Sequence, residues 1–405
     1  MQTNTSIDNF IKTYVTGLQD RLLTADFKKY DKELNERING RKVLVIGGAG
    51  TIGSSYIKAI LKYRISKLVV VDTNENGLTE LVRDLRSSSD YNIPADFITY
   101  PVSFGDRVFN KIFREHGPFE IVANFAAHKH VRSEKDIFSI EAMIENNVLR
   151  ARRLLDLLLV FPPEHFFCVS TDKAANPVNI MGASKKLMEE LIMAYADRLP
   201  ITTARFANVA FSNGSLPQGF LDRIQKQQPW ACPLGIRRFF VSPQESGELC
   251  LMATVMGESG DIFFPKLDED KDMIPFDEIA LDLIKYLGME PVICESEDEA
   301  RRKTNLIGKT NQYPIYFFGS DTSGEKAFEE FFTEKEKLDN DSFVNLGVIK
   351  NSVRRDITEI DEIFDQLHKL FESDKISKAA VVEILKRYLP NFEHIETGKG
   401  LDSKM

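Results

Sequence analysis

Val43-Leu-Val-Ile-Gly47-Gly-Ala-Gly50-Thr-Ile-Gly53 decides how the chain folds. Four strand-type apolar residues run straight into a glycine turn, and a helix follows. A side chain at the glycine positions would block a pyrophosphate, whereas bare backbone N–H groups and a helix N-terminus hold phosphate well. Glycine triplets are common by themselves. Here, however, Leu68-Val-Val-Val-Asp72 supplies a second strand ending in an acid, at the distance where a partner for ribose hydroxyls belongs. The Asp72 charge would repel a 2′-phosphate, which favours NAD over NADP; a turn or capping role is the lesser alternative for Asp72 taken alone. The expected cofactor contacts are Gly47, Gly50, Thr51, Ile52, Gly53 and Asp72.

Outward from this stretch, Lys67 to Val71, Ile121 to Phe125 and Phe166 to Val169 are further short apolar runs separated by helix-length segments. Such alternation indicates βαβ units and a parallel sheet. The expected fold is α/β: a Rossmann-like doubly wound parallel sheet, a smaller C-terminal substrate-binding domain and an N-terminal helical extension. Residues 1–40 form the extension, where Ile7, Phe10, Ile11, Tyr14, Val15, Leu18 and Leu22 make one apolar stripe. Residues 41–210 form the cofactor domain and 211–345 the substrate domain, partly interleaved with it. Residues 346–405 return to amphipathic helix, with Ile357, Ile360, Ile363, Phe364, Leu367 and Leu370 at helical spacing.

Composition narrows the function classes. A chain of 405 residues with net charge −9 is ample for two or three domains and argues against a nucleic-acid surface. Cys168, Cys232, Cys250 and Cys294 form no CxxC pair, the usage of a reducing compartment. No run approaches about 18 consecutive apolar residues, so no membrane span is expected, and a cytoplasmic protein is the default. His128 and His130 lack a third ligand nearby, so no metal is expected.

The chemistry concentrates in Ser170-Thr-Asp-Lys-Ala-Ala-Asn-Pro-Val-Asn-Ile-Met181-Gly-Ala-Ser-Lys185. It starts at the end of a buried strand, where ligand sites of doubly wound sheets lie. Thr171, Asp172 and Lys173 place a hydroxyl, a carboxylate and an ammonium side by side. Met181 and Lys185, four apart, share one helix face.

The GxxGxxG spacing resembles the extended short-chain dehydrogenase/reductase superfamily. In its members the i,i+4 pair is normally Tyr and Lys; here Met181 replaces the Tyr. Residues 170–185 resemble the CapD-like polysaccharide-biosynthesis family of sugar-nucleotide 4,6-dehydratases, and Met181 resembles its retaining UDP-N-acetylglucosamine branch. Asn124-Phe-Ala126-Ala127-His-Lys129-His130-Val131, Glu145-Asn-Asn147-Val, Arg205-Phe-Ala-Asn208-Val, Ser212-Asn-Gly214-Ser215, Arg237-Arg238-Phe-Phe and Gly324-Glu325-Lys326 resemble further family segments. The likeness covers residues 41–332; Ala207, His128 and Arg132 depart from it, and residues 265–320 match loosely. It implies a lyase that holds NAD and acts on a UDP-sugar, UDP-N-acetylglucosamine foremost, as a homo-oligomer without nucleic acid. The implied catalytic set is Thr171, Asp172, Lys173, Met181 and Lys185. Ser103, Ala126, Ala127, Asn147 and Lys185 join the cofactor contacts, and Lys129, His130, Asn208, Ser215 and Arg238 face the substrate. Asp172 is expected to protonate the departing C6 hydroxyl and Lys173 to remove the C5 proton, which requires a protonated acid beside a neutral amine; a buried ion pair is the structural alternative. A C5-inverting dehydratase, a 4-epimerase and a non-catalytic NAD-binding protein are the competing readings.

Overall fold

The computed structural model describes residues 6–17, 20–129, 134–319, 330–373 and 376–394. The first half alternates strand and helix as its sequence dictates. β1 (Lys42–Ile46), β2 (Lys67–Val71), β3 (Asp96–Tyr100), β4 (Ile121–Asn124), β5 (His165–Val169) and β6 (Ile201–Ala204) are parallel neighbours joined by helical crossovers. The Val, Ile, Leu and Phe runs of all but the edge strand β3 are buried on both faces, each large side chain contributing on the order of 1.5–3 kcal/mol.

After β6 the chain leaves the sheet for β7 (Asn208–Val209), β8 (Trp230–Pro233) and β9 (Arg237–Val241). It returns with β10 (Ile262–Pro265), parallel to β6, then leaves again for β11 (Met273–Pro275), β12 (Glu290–Cys294) and β13 (Gln312–Phe318). β14 (Leu338–Asp339) and β15 (Leu346–Ile349) finish the sheet, with β15 antiparallel to β10. Among the described residues the main sheet has nine strands in the order β3-β2-β1-β4-β5-β6-β10-β15-β14. The order reverses between β1 and β4, so a crevice opens at their carboxyl ends. Two three-stranded sheets, β11-β9-β7 and β12-β13-β8, build the smaller lobe beyond that crevice.

Two segments differ from the sequence reading. The N-terminal stripe is not one helix. Ile7–Phe10 and the wider turn Ile11–Val15 set Phe10, Ile11 and Val15 into the small lobe's core with Phe211, Phe220 and Trp230. Leu22, Leu23, Leu34 and Ile38 instead join the main core, and Leu18 lies outside the described residues. The tail after 346 opens with a strand, because Leu346 to Ile349, buried along its whole length, pairs with β10; only then do helices Ile357–Phe371 and Lys378–Tyr388 follow. No described helix is long and apolar enough to cross a membrane.

Candidate active site

The glycine turn packs onto the end of β4. Gly47 has φ +77°, and a Cβ there would lie 2.5 Å from the Ala126 nitrogen. A Cβ on Gly53 would meet the Gly47 carbonyl oxygen at 2.2 Å, so helix Thr51–Ile60 can approach the strand only without it. Gly50 is different. It is the N-cap of that helix, no side chain caps it, and a Cβ there would find nothing closer than the Gly47 oxygen at 3.6 Å. The protein itself does not require glycine at 50, and the uncovered helix N-terminus beside it suits a diphosphate.

A cavity of about 260 Å³ lies against this turn, lined by Gly47, Gly50, Asp72, Ser103, Ala126, Ala127 and Arg150. Asp72 also has a structural task. Its oxygens accept the N–H of Ala49 at 2.9 Å and of Asn74 at 2.8 Å, fixing the glycine turn to β2. Ser103 accepts a 3.0 Å hydrogen bond from Arg150, a residue the sequence reading did not select. The Thr51 hydroxyl accepts the Asn213 N–H at 3.0 Å, which binds the cofactor helix to the small lobe.

The neighbouring cavity, about 250 Å³, shares Phe125 and Ala127 with the first and gathers most of the expected chemistry. Ile52, Lys129, Thr171, Asp172, Lys173, Met181, Lys185, Asn208 and Ser215 line it, with Phe240 and Phe276 at the small-lobe side. β5 ends at Val169, Thr171 is extended, and Asp172–Ala174 turn back in a single 3₁₀ turn. The Asn179 side chain then caps helix Ile180–Met193 through the Gly182 N–H, so Met181 and Lys185 face the cavity one turn apart.

Asp172 Oδ1 accepts three hydrogen bonds: from the Thr171 hydroxyl at 2.8 Å, the Lys173 N–H at 2.9 Å and the Lys173 ammonium at 3.1 Å. The two groups thus lie in direct contact, 3.1 Å apart, the geometry of the ion-pair alternative. Lys185 is 3% exposed and donates to the Val169 carbonyl at 2.6 Å. Burial lowers its pKa, while Cys168 and Glu189 oppose the shift. Lys129 is likewise lowered by desolvation.

Two expected contacts lie away from both cavities. Asn147 lines neither cavity. Its amide accepts the His128 N–H at 2.8 Å and donates to the His128 carbonyl at 3.0 Å and the Ser184 hydroxyl at 3.1 Å. The wide π-helical turn Glu145–Leu149 carries it, so its polar atoms clamp the His128 backbone to helix Ile180–Met193. Arg238 lies in β9 at 5% exposure, donates to the Arg237 carbonyl at 2.8 Å and lines neither cavity. His130, Val131, Arg132 and Gly324-Glu325-Lys326 lie outside the described residues.

Behind the site sits a charge network that local sequence does not announce. The Ser170 hydroxyl donates to Glu189 at 2.5 Å. Arg205, fully buried, bonds both oxygens of Glu189 and both of Glu336, and also reaches the Phe331 carbonyl. Desolvation would raise the Glu189 pKa, but the charge and hydrogen bonds of Arg205 prevail and hold it below the usual value. The network ties the end of β5 to the middle of the catalytic helix and to the chain near 331–336.

The family described as "Polysaccharide biosynthesis protein" matches residues 43–351. The probable polysaccharide biosynthesis protein EpsC of Bacillus subtilis is 26% identical over 345 residues, covering 84% of this chain; the chain spans only about half, 53%, of that relative. A UDP-N-acetylglucosamine 4,6-dehydratase (inverting) of Campylobacter jejuni is 26% identical over 243 residues, 58% of this chain and 69% of the relative. Rickettsia chains named UDP-glucose 4-epimerase also match, over 233 residues. Among solved structures, Pen from Bacillus thuringiensis superposes with a TM-score of 0.62 at 20% identity, over 78% of this chain and 89% of the other.

Proposed function

The chain belongs to the polysaccharide biosynthesis protein family, and from its site we propose a UDP-N-acetylglucosamine 4,6-dehydratase that uses NAD and retains configuration at C5. The observation that carries this reading is the Thr171-Asp172-Lys173 cluster, hydrogen-bonded within itself and opening into the cavity that also holds Lys185.

NAD fits the first cavity: Gly50 leaves the helix N-terminus bare for a diphosphate, and Asp72 stands where ribose hydroxyls need an acceptor. Bound there, it supplies reversible hydride acceptance, from C4 of the sugar at the start and back to C6 at the end. The remaining steps belong to side chains of this protein. With no tyrosine at position 181, Thr171 accepts the C4 hydroxyl proton while passing its own to Asp172, 2.8 Å away. Asp172 thereby becomes the acid, and Lys173, whose side chain is 20% exposed, releases its extra proton to water. Lys173 then takes the C5 proton made acidic by the C4 ketone, as Asp172 protonates the departing C6 hydroxyl. The ion pair is thus restored. Lys173 finally returns a solvent-exchanged proton to C5 and takes back from water the proton it released at the start, so the resting pair is re-formed. Because one group removes and replaces that proton, both events occur on one face and the configuration is kept. Lys185 supplies positive charge beside the reacting carbon, while Lys129, Asn208 and Ser215 bound the sugar.

Epimerisation at C4 needs no acid/base pair over C5 and C6, so Asp172-Lys173 favours dehydration over the epimerase reading. The test is incubation with UDP-N-acetylglucosamine in D₂O without added reductant, followed by mass spectrometry and NMR. Loss of one water with one deuterium gained at C5 supports the proposal, and ring couplings report the stereochemistry. Epimerised or unchanged substrate refutes it.

A further inference from the structure

Helix Ile180–Met193 begins inside the protein, so its orphan N–H groups must find acceptors there. Asn179 serves the Gly182 N–H at 2.7 Å. The Met181 N–H is served from afar: Glu134, 47 positions upstream, accepts it at 2.8 Å. The Glu134 side chain is only 8% exposed, and its other oxygen lies 3.8 Å from Nε2 of His394, itself 9% exposed. A carboxylate here also meets the positive end of the helix dipole. Met181 needs such help. Its thioether offers no hydrogen bond strong enough to register the turn against a substrate.

We infer that Glu134 is a positioning residue of the reaction proposed above, holding the Met181 turn and, one turn on, Lys185 against the sugar-side cavity. The inference rests on that functional reading for its catalytic consequence but not for its structural one. In E134A the buried Met181 N–H loses its acceptor and the first turn loosens. Displacements near 1 Å cost reactions of this kind about 10²-fold. The kcat for water loss is therefore expected to fall by about 10- to 100-fold, with KM for UDP-N-acetylglucosamine within about twofold. E134Q keeps an oxygen acceptor for the same N–H and should recover most of the lost rate.

The experiment pairs those kinetics with hydrogen–deuterium exchange of the segment 180–185, read without substrate. Slow exchange at Met181 in the wild type and E134Q, accelerated on the order of tenfold in E134A, is the expected pattern. Unchanged exchange in E134A overturns the structural claim, whether or not the protein turns over any nucleotide sugar. If the wild type is active, an E134A enzyme with wild-type kcat overturns the catalytic claim, and so does an E134Q enzyme as impaired as E134A. A wild type that makes no product refutes the dehydratase reading alone, because the exchange comparison still judges Glu134.

Discussion

Replacing Gly50 by alanine separates the cofactor's demand for glycine from the fold's. The new methyl would sit 3.6 Å from its nearest neighbour, and φ −72° with ψ 162° is ordinary backbone for alanine. Loss of an N-cap glycine should cost the apo-protein no more than about 1 kcal/mol. If a diphosphate rests on this helix N-terminus, the methyl stands in its way. Forfeiting one hydrogen bond to a charged group, about 1.5–3 kcal/mol, weakens NAD about 10- to 150-fold. Gly53→Ala is the contrast. Its Cβ would press the Gly47 oxygen at 2.2 Å and the Gly48 Cα at 2.9 Å, both backbone atoms, and should cost about 1–3 kcal/mol even without ligand. Calorimetric titration with NAD, alongside chemical unfolding of each apo-protein, reads both quantities. Wild-type NAD affinity in G50A would remove the diphosphate from this helix end, and wild-type stability in G53A would show the turn to be looser than described.

Other perturbations act elsewhere. K173M should lower kcat by at least about 10²-fold while leaving NAD affinity within about twofold, since Asp172 keeps its bonds from Thr171 and the Lys173 N–H; steady-state turnover with an NAD titration checks it. R205M strands the buried carboxylate of Glu189 and should destabilise the protein by about 3–5 kcal/mol in urea unfolding. His165 is held neutral by burial, aided by Arg37 and Arg41, its pKa lowered from 6.5 to about 4. The folded state therefore binds this proton later than the unfolded one, so the stability it contributes is whole above about pH 6.5 and lost as pH falls through about 4. The loss should reach roughly 1–2 kcal/mol after allowing for partial hydration of the ring, and H165Q should flatten unfolding curves across that window.

The parallel sheet and its crevice were legible because both are written locally: β-branched runs, a glycine turn and helix-length spacers. Residues 170–185 were legible for the same reason, since strand end, turn and helix start lie within one short segment. What stayed hidden depends on partners distant in sequence. Nothing near Arg205 says that Glu336, 131 positions later, closes its charge. Asn147, expected to touch the cofactor, lies in a π-turn and spends its amide on the His128 backbone and the Ser184 hydroxyl, partners 19 and 37 positions away. Arg238 is expected at the diphosphate from the likeness of its segment and from its planar fork, yet it lies in the buried part of β9, away from both cavities.

The last strands of the main sheet bear on how the chain is made. β14 and β15 cover β10 at one edge, and they come from residues 338–349, after the whole small lobe has been synthesised. Until residues 338–349 are present, the β10 edge has no strand to cover it, and Phe10, Ile11 and Val15 pack in a lobe whose other buried core residues run from Ala210 to Ile315. Neither lobe can therefore be cut out as an independent unit at a single junction. A fragment ending before residue 346 should expose the β10 edge and aggregate, so dissection of this protein requires circular permutation, not truncation.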